Sequence, residues 1–164
     1  MSCRRVCLFL TLVLAFAPAS TLLLGAPARA AEAPLPGMRT VVTKHAFDVL
    51  VARVEAAVSA NKMGLVAQAS ASQGAAGRGI KIPGNAVLMV FRNDYAVRML
   101  QASVPAGIEA PIRLYVTENA DGTASLSYRT PTAVFAPYRN DKLNELAREL
   151  DPIFDRMVRD AAGA

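Results

Sequence analysis

The sequence predicts a two-layer α+β domain, a mixed β-sheet that ends in a C-terminal antiparallel hairpin and carries its helices packed on one face. Three observations predict it. Segments rich in β-branched residues alternate with segments of helical period in the order β-α-β-α-β-α-β-β-α. Two alternating segments, Pro111 to Glu118 and Thr123 to Arg129, flank Asn119-Ala120-Asp121-Gly122, a turn of hairpin type, which excludes a purely parallel sheet. Asp141 to Ala162 carries a long apolar stripe of Leu143, Leu146, Ala147, Leu150, Phe154, Met157 and Val158, enough to cover a sheet.

The elements follow in order. Met38 to Thr43, with Thr40, Val41, Val42 and Thr43, reads as a first strand. Phe47 to Asn61 reads as a helix, because Phe47, Leu50, Val51, Val54, Ala57 and Val58 keep helical spacing, and Gly64 suits a left-handed cap after it. Leu65 to Ala69 is a second strand. Alanines favour a short helix near Ser72 to Arg78, against which Gly74, Gly77 and Gly79 count. The continuous apolar run Asn85 to Phe91 suits a buried central strand. Asn93 is placed to cap a helix running to about Ala102. Pro105 and Gly107 mark a loop. In the hairpin, Ile112, Leu114 and Val116 point one way and Arg113, Tyr115 and Thr117 the other, while Ala124, Leu126 and Tyr128 share a face of the return strand. Thr130 to Pro137 reads as a proline-bounded connection. Pro152 interrupts the last stripe and predicts a kink or two consecutive helices.

The first 30 residues read as a secretory signal peptide: Arg4 and Arg5 in a short basic start, an apolar stretch from Val6 to Gly25, and Ala28-Arg29-Ala30 as the small-residue cleavage pattern. Cleavage there leaves residues 31–164, a flexible leader at 31–37 and one domain at 38–164. It removes both cysteines, Cys3 and Cys7, so a disulfide framework, a thiol nucleophile and thiolate metal sites are excluded from the mature chain. It also removes three arginines and no acid, which lowers the net charge from +5 to +2 and takes away the main support for a nucleic-acid partner. The expected location is periplasmic or secreted, with no stable membrane anchor after cleavage.

Val87 to Phe91, the run from Pro105 to Glu118, Asp121-Gly122 and Ser127-Tyr128-Arg129-Thr130-Pro131 together resemble the domain of unknown function 302 family. The resemblance covers roughly Thr40 to Tyr138, and the order of elements carries it more than any single motif. Arg92-Asn93-Asp94 stands where that family usually has Gly-Asn-Pro, and Ala110 where it usually has Leu before the proline. The resemblance implies a compact α+β domain and a homodimer, and it implies no established reaction.

The chemistry-bearing residues are few. The glycine-rich run Gly74 to Lys81 has the spacing of neither a dinucleotide fingerprint nor a P-loop and reads as a loop. His45 is the single histidine, with no second His or Cys to complete a transition-metal site. The methionines are dispersed and read as core filling rather than as a copper site. No cofactor and no metal are expected. The polar and aromatic set Arg113, Tyr115, Tyr128, Arg129, Thr130 and Tyr138 is the candidate ligand site: guanidinium forks suit a carboxylate or phosphate, and tyrosines suit an apolar body. The function expected from these residues is a non-catalytic binding module for a small anionic or amphipathic ligand or a protein partner. The alternatives are a homodimeric structural protein, or an enzyme that uses His45 or Tyr128 as its acid or base.

Overall fold

The computed structural model describes residues 35–163. The signal peptide expected at 1–30, and 31–34 of the leader, lie outside the described residues. The chain runs β1 (Met38–Ala46), α1 (Phe47–Ala60), β2 (Gly64–Ala69), α2 (Ala71–Ala76), β3 (Asn85–Phe91), α3 (Asn93–Ala102), a 3-10 segment (Val104–Glu109), β4 (Ile112–Glu118), β5 (Thr123–Arg129), α4 (Pro131–Phe135), a 3-10 turn (Ala136–Tyr138) and α5 (Asp141–Ala162).

The five strands form one open sheet in the order β1-β5-β4-β3-β2. Where a mixed sheet was expected, every neighbouring pair is antiparallel. The reason lies in the connections: α2, α3 and the hairpin turn each return the chain to an adjacent strand, and α1 carries it from one edge strand to the other, so no neighbours arise by a parallel crossover. The helical layer lies on one side, as predicted. Ala86, Leu88 and Val90 of β3, Ile112, Leu114 and Val116 of β4, and Ala124, Leu126 and Tyr128 of β5 are buried beneath it. From the helices come Leu50, Val54, Ala57 and Val58 of α1, Met99 of α3, and nine residues of α5 from Leu143 to Ala161. They meet in a single apolar cluster.

Several local expectations are corrected. Lys62, at φ 57°, takes the left-handed position after α1, not Gly64. Gly64 instead opens β2, where an added Cβ would come within 3.2 Å of Phe91 O. Arg92 stands at the N-cap position of α3 with no side-chain cap, and Asn93 is already inside the helix. Pro152 sits within one continuous helix, because the apolar stripe on both sides of it stays packed on the sheet while only one backbone donor is lost. Asp151, just before that proline, receives Thr132 N at 3.0 Å and the Thr132 hydroxyl. The stretch from Thr130 to Pro137 is not a bare connection but holds α4, whose first turn the Thr130 hydroxyl caps by accepting from Ala133 N.

Candidate functional site

The face of the sheet turned away from the helices is where the candidate residues project. Strand alternation puts Arg113 and Tyr115 of β4, Ser127 and Arg129 of β5, Val87 and Met89 of β3, and Met38 and Thr40 of β1 on this side, paired across the strands as Met38–Arg129, Thr40–Ser127, Tyr115–Ser127, Val87–Tyr115 and Met89–Arg113. At the end of the sheet where β1 and β4 begin and β5 stops, this face is bordered rather than flat. Gly37, at φ 71°, brings the chain so close to α4 that a Cβ would lie 2.0 Å from the Ala133 Cβ, and its carbonyl accepts from Thr130 N at 3.0 Å. That close approach sets Leu35 and Met38 beside Val134. Glu109, at the end of the 3-10 segment, borders the same space.

The result is a groove of about 290 Å³, lined by Leu35, Met38, Val87, Ile112, Tyr115 and Val134 as apolar walls and by Arg113, Arg129 and Glu109 as charges, with Ser127 and Tyr128 also touching it. Its size matches a small molecule, roughly ten waters in volume. A second, apolar cavity between α3, α5 and the end of β3 has only about 30 Å³, room for about one water.

The groove's cations are the distinctive part. The β4–β5 register pairs Leu114 with Tyr128. One step further along that antiparallel ladder Arg113 falls opposite Arg129, on the groove side. Like charges at such neighbouring positions, with Cβ atoms about 5 Å apart, repel. Neither guanidinium belongs to the ion pairs formed among the described residues, which are Arg39–Asp155, Arg92–Asp94 and Arg98–Glu149. One Arg129 nitrogen, Nη2, donates to Ala133 O at 3.1 Å. Its Nε is buried and finds no acceptor among the described residues. A buried unpaired donor on a cation is costly, and an anion relieves both that and the repulsion.

The remaining predicted residues are placed differently. The Tyr128 ring lies on the helix side, stacked on Phe154 at 6.3 Å between centroids, and its hydroxyl donates to Asp155 Oδ1 at 2.5 Å. Burial first, and then the hydrogen bond to Asp155, push its phenol up to about 12. Thr130 is committed to capping α4 and does not line the groove. Tyr138 stands behind the rim and donates to Glu109 Oε1 at 3.1 Å; burial and that bond both raise its phenol. His45 lies seven residues along β1 from Met38, roughly 20 Å from the groove end. Its Nε2 is 3.2 Å from Ala162 O, and Arg53 donates to Ala161 O and Asp160 O beside it, so both side chains hold the last carbonyls of α5. Sequence reasoning missed Glu109, Leu35, Met38 and Val134. Only Glu109, the one acid in the segment between Ser103 and Pro111, carried a signal. Among the described residues no group of three or more His, Cys, Asp or Glu side chains is arranged to hold a metal ion, and no helix is long and apolar enough to cross a membrane.

An antiparallel α+β domain, with one sheet face buried under helices and a charged groove at one end of the other, is the class that fold and site define. The model of the family described as Domain of unknown function DUF302 matches residues 39–161, and the chain belongs to that family. Among solved structures it is similar to the crystal structure of an uncharacterized conserved DUF302 protein from Bacillus stearothermophilus, with a TM-score of 0.69 at 19% identity over 77% of this chain and 98% of that one, which shows the fold. No curated protein matches.

Proposed function

We propose that this protein is an exported, non-catalytic binding module whose groove holds a small amphipathic anion. The observation that carries the reading is the pair of cross-strand arginines, Arg113 and Arg129, facing a walled apolar groove with the buried Arg129 Nε short of an acceptor. Two guanidinium forks suit a carboxylate or phosphate oxygen pair, while Met38, Val87, Ile112, Val134 and the Tyr115 ring suit an apolar body. Export, through the signal sequence ending near Ala30, is part of the same proposal. An enzymatic reading that relies on His45 or Tyr128 has less support, because both side chains hydrogen-bond to α5 and neither presents its reactive atom to the groove.

The test is a nuclear magnetic resonance titration of the mature chain with caproate and with benzoate. Arg113 and Arg129 side-chain signals are expected to shift, and Arg113→Ala or Arg129→Ala to weaken binding about tenfold or more, the value of one charge-assisted contact. Unchanged affinity in both variants overturns the proposal. A second reading, a contact with another copy of this chain, is favoured by the exposed apolar side chains of α3 and the segment after it: Val97, Leu100, Val104 and Ile108, the last 82% exposed. Sedimentation of the mature chain distinguishes the two.

A further inference from the structure

The groove contains an acid as well as two bases, and they do not neutralise one another. Glu109 lines the same space as Arg113 and Arg129, yet it belongs to none of the ion pairs among the described residues. It is also held in place. Its Oε1 accepts the Tyr138 hydroxyl, and Tyr138 ends the short turn that follows α4. That bond engages only Oε1 and leaves the second carboxylate oxygen for something else. A ligand carrying only an anion would meet the two guanidiniums and be repelled by this third group. A ligand carrying an anion and a cation would satisfy all three.

We infer that the ligand is a small zwitterion with an apolar body: a carboxylate on Arg113 and Arg129, an aliphatic or aromatic portion along Met38, Val87, Ile112 and Tyr115, and an ammonium on Glu109. The inference deepens the groove reading and rests on it. The groove's volume, about 290 Å³, accommodates a body of the size of an amino acid. Such a site discriminates by charge placement: a ligand without the ammonium leaves Glu109 unmatched, and one without the carboxylate leaves two guanidiniums facing each other.

Four six-carbon probes isolate the claim: caproate, hexylamine, norleucine and ε-aminocaproate. All have six carbons; caproate carries only the carboxylate, hexylamine only the ammonium, and the two amino acids carry both, at different separations. Calorimetric titration of the mature chain is expected to show norleucine or ε-aminocaproate binding about tenfold or more tighter than caproate, with hexylamine weakest. Glu109→Gln keeps an acceptor for Tyr138 but removes the charge; it is expected to erase the zwitterion's advantage while leaving caproate binding equal or stronger, and a thermal melt checks that it stays folded. Caproate binding as tightly as both amino acids, or a preference that survives Glu109→Gln, overturns the inference and leaves the anion site standing. Failure of all four probes to bind overturns the groove reading and this inference with it.

Discussion

Tyr128 separates two roles that a strand residue can play, and its protonation shows which one it has. Arg39 Nη1 and the Tyr128 hydroxyl both donate to Asp155 Oδ1, tying β1 and β5 to α5. Burial and the bond to Asp155 raise the phenol from 10.0 to about 12 against the opposing pull of Arg39. A group whose folded value is raised stabilises the fold fully below its unfolded value, and that contribution is lost as pH climbs towards the folded one. Tyr128→Phe is therefore expected to lower the unfolding free energy by about 1 kcal/mol at neutral pH, the usual net worth of one hydrogen bond. The difference from wild type should shrink between pH 10.0 and about 12, where the unfolded tyrosine ionises and the folded one does not. Urea unfolding of both chains across that range measures it, and a gap that stays constant would show that the hydroxyl is not held as described.

The elements differ in how plainly the sequence announces them. The hairpin was legible because alternation and turn agree: Asp121 and Gly122, the latter at φ 82°, close it, and Asp121 Oδ1 accepts from Thr123 N. α5 was legible because its stripe is long. α4 was not, since it is five residues long, opens on Pro131 and is held by groups distant in sequence, Gly37 on Thr130 and Asp151 on Thr132, with Arg129 reaching Ala133 locally. Short helices of that kind owe their existence to tertiary contacts, which local propensity does not encode. The same limit applies to the end of α3. Asn140 caps α5 by accepting from Leu143 N at 3.1 Å, and its Nδ2 donates to Ala102 O at 3.0 Å, the last residue of α3. One side chain thus serves two helix ends. Asn140→Ala is expected to cost about 2 kcal/mol, above an ordinary cap, because it strips an acceptor from α5 and a donor from α3 together. Asn140→Asp keeps the cap and loses the donor, so it should recover about half; chemical denaturation of both variants checks the order.

At the scale of the whole molecule, one sheet serves as a wall of the core on one side and as the floor of a groove on the other, and adjacent residues of β4 test that division. Leu114 is fully buried beneath the helices; Tyr115, the next residue, is 41% exposed on the groove. The alternation made Arg113 and Tyr115 legible as outward residues. The groove itself was not legible, because its rim comes from Leu35, Glu109 and Val134, three segments that converge only after folding. Leu114→Ala is expected to destabilise the protein by about 2–5 kcal/mol, the transfer loss plus the cavity left at the centre of the sheet. Tyr115→Ala removes a ring from a half-open face and is expected to cost no more than about 1 kcal/mol. The order should reverse for binding. Tyr115→Ala takes away part of the groove's apolar wall and should weaken the amphipathic probes, while Leu114→Ala, studied well below its melting temperature, should leave their affinity nearly unchanged. Equal stability losses for the two would show the outer face to be covered as tightly as the inner, by the same kind of packed contact, and the groove to be an interface rather than a ligand site.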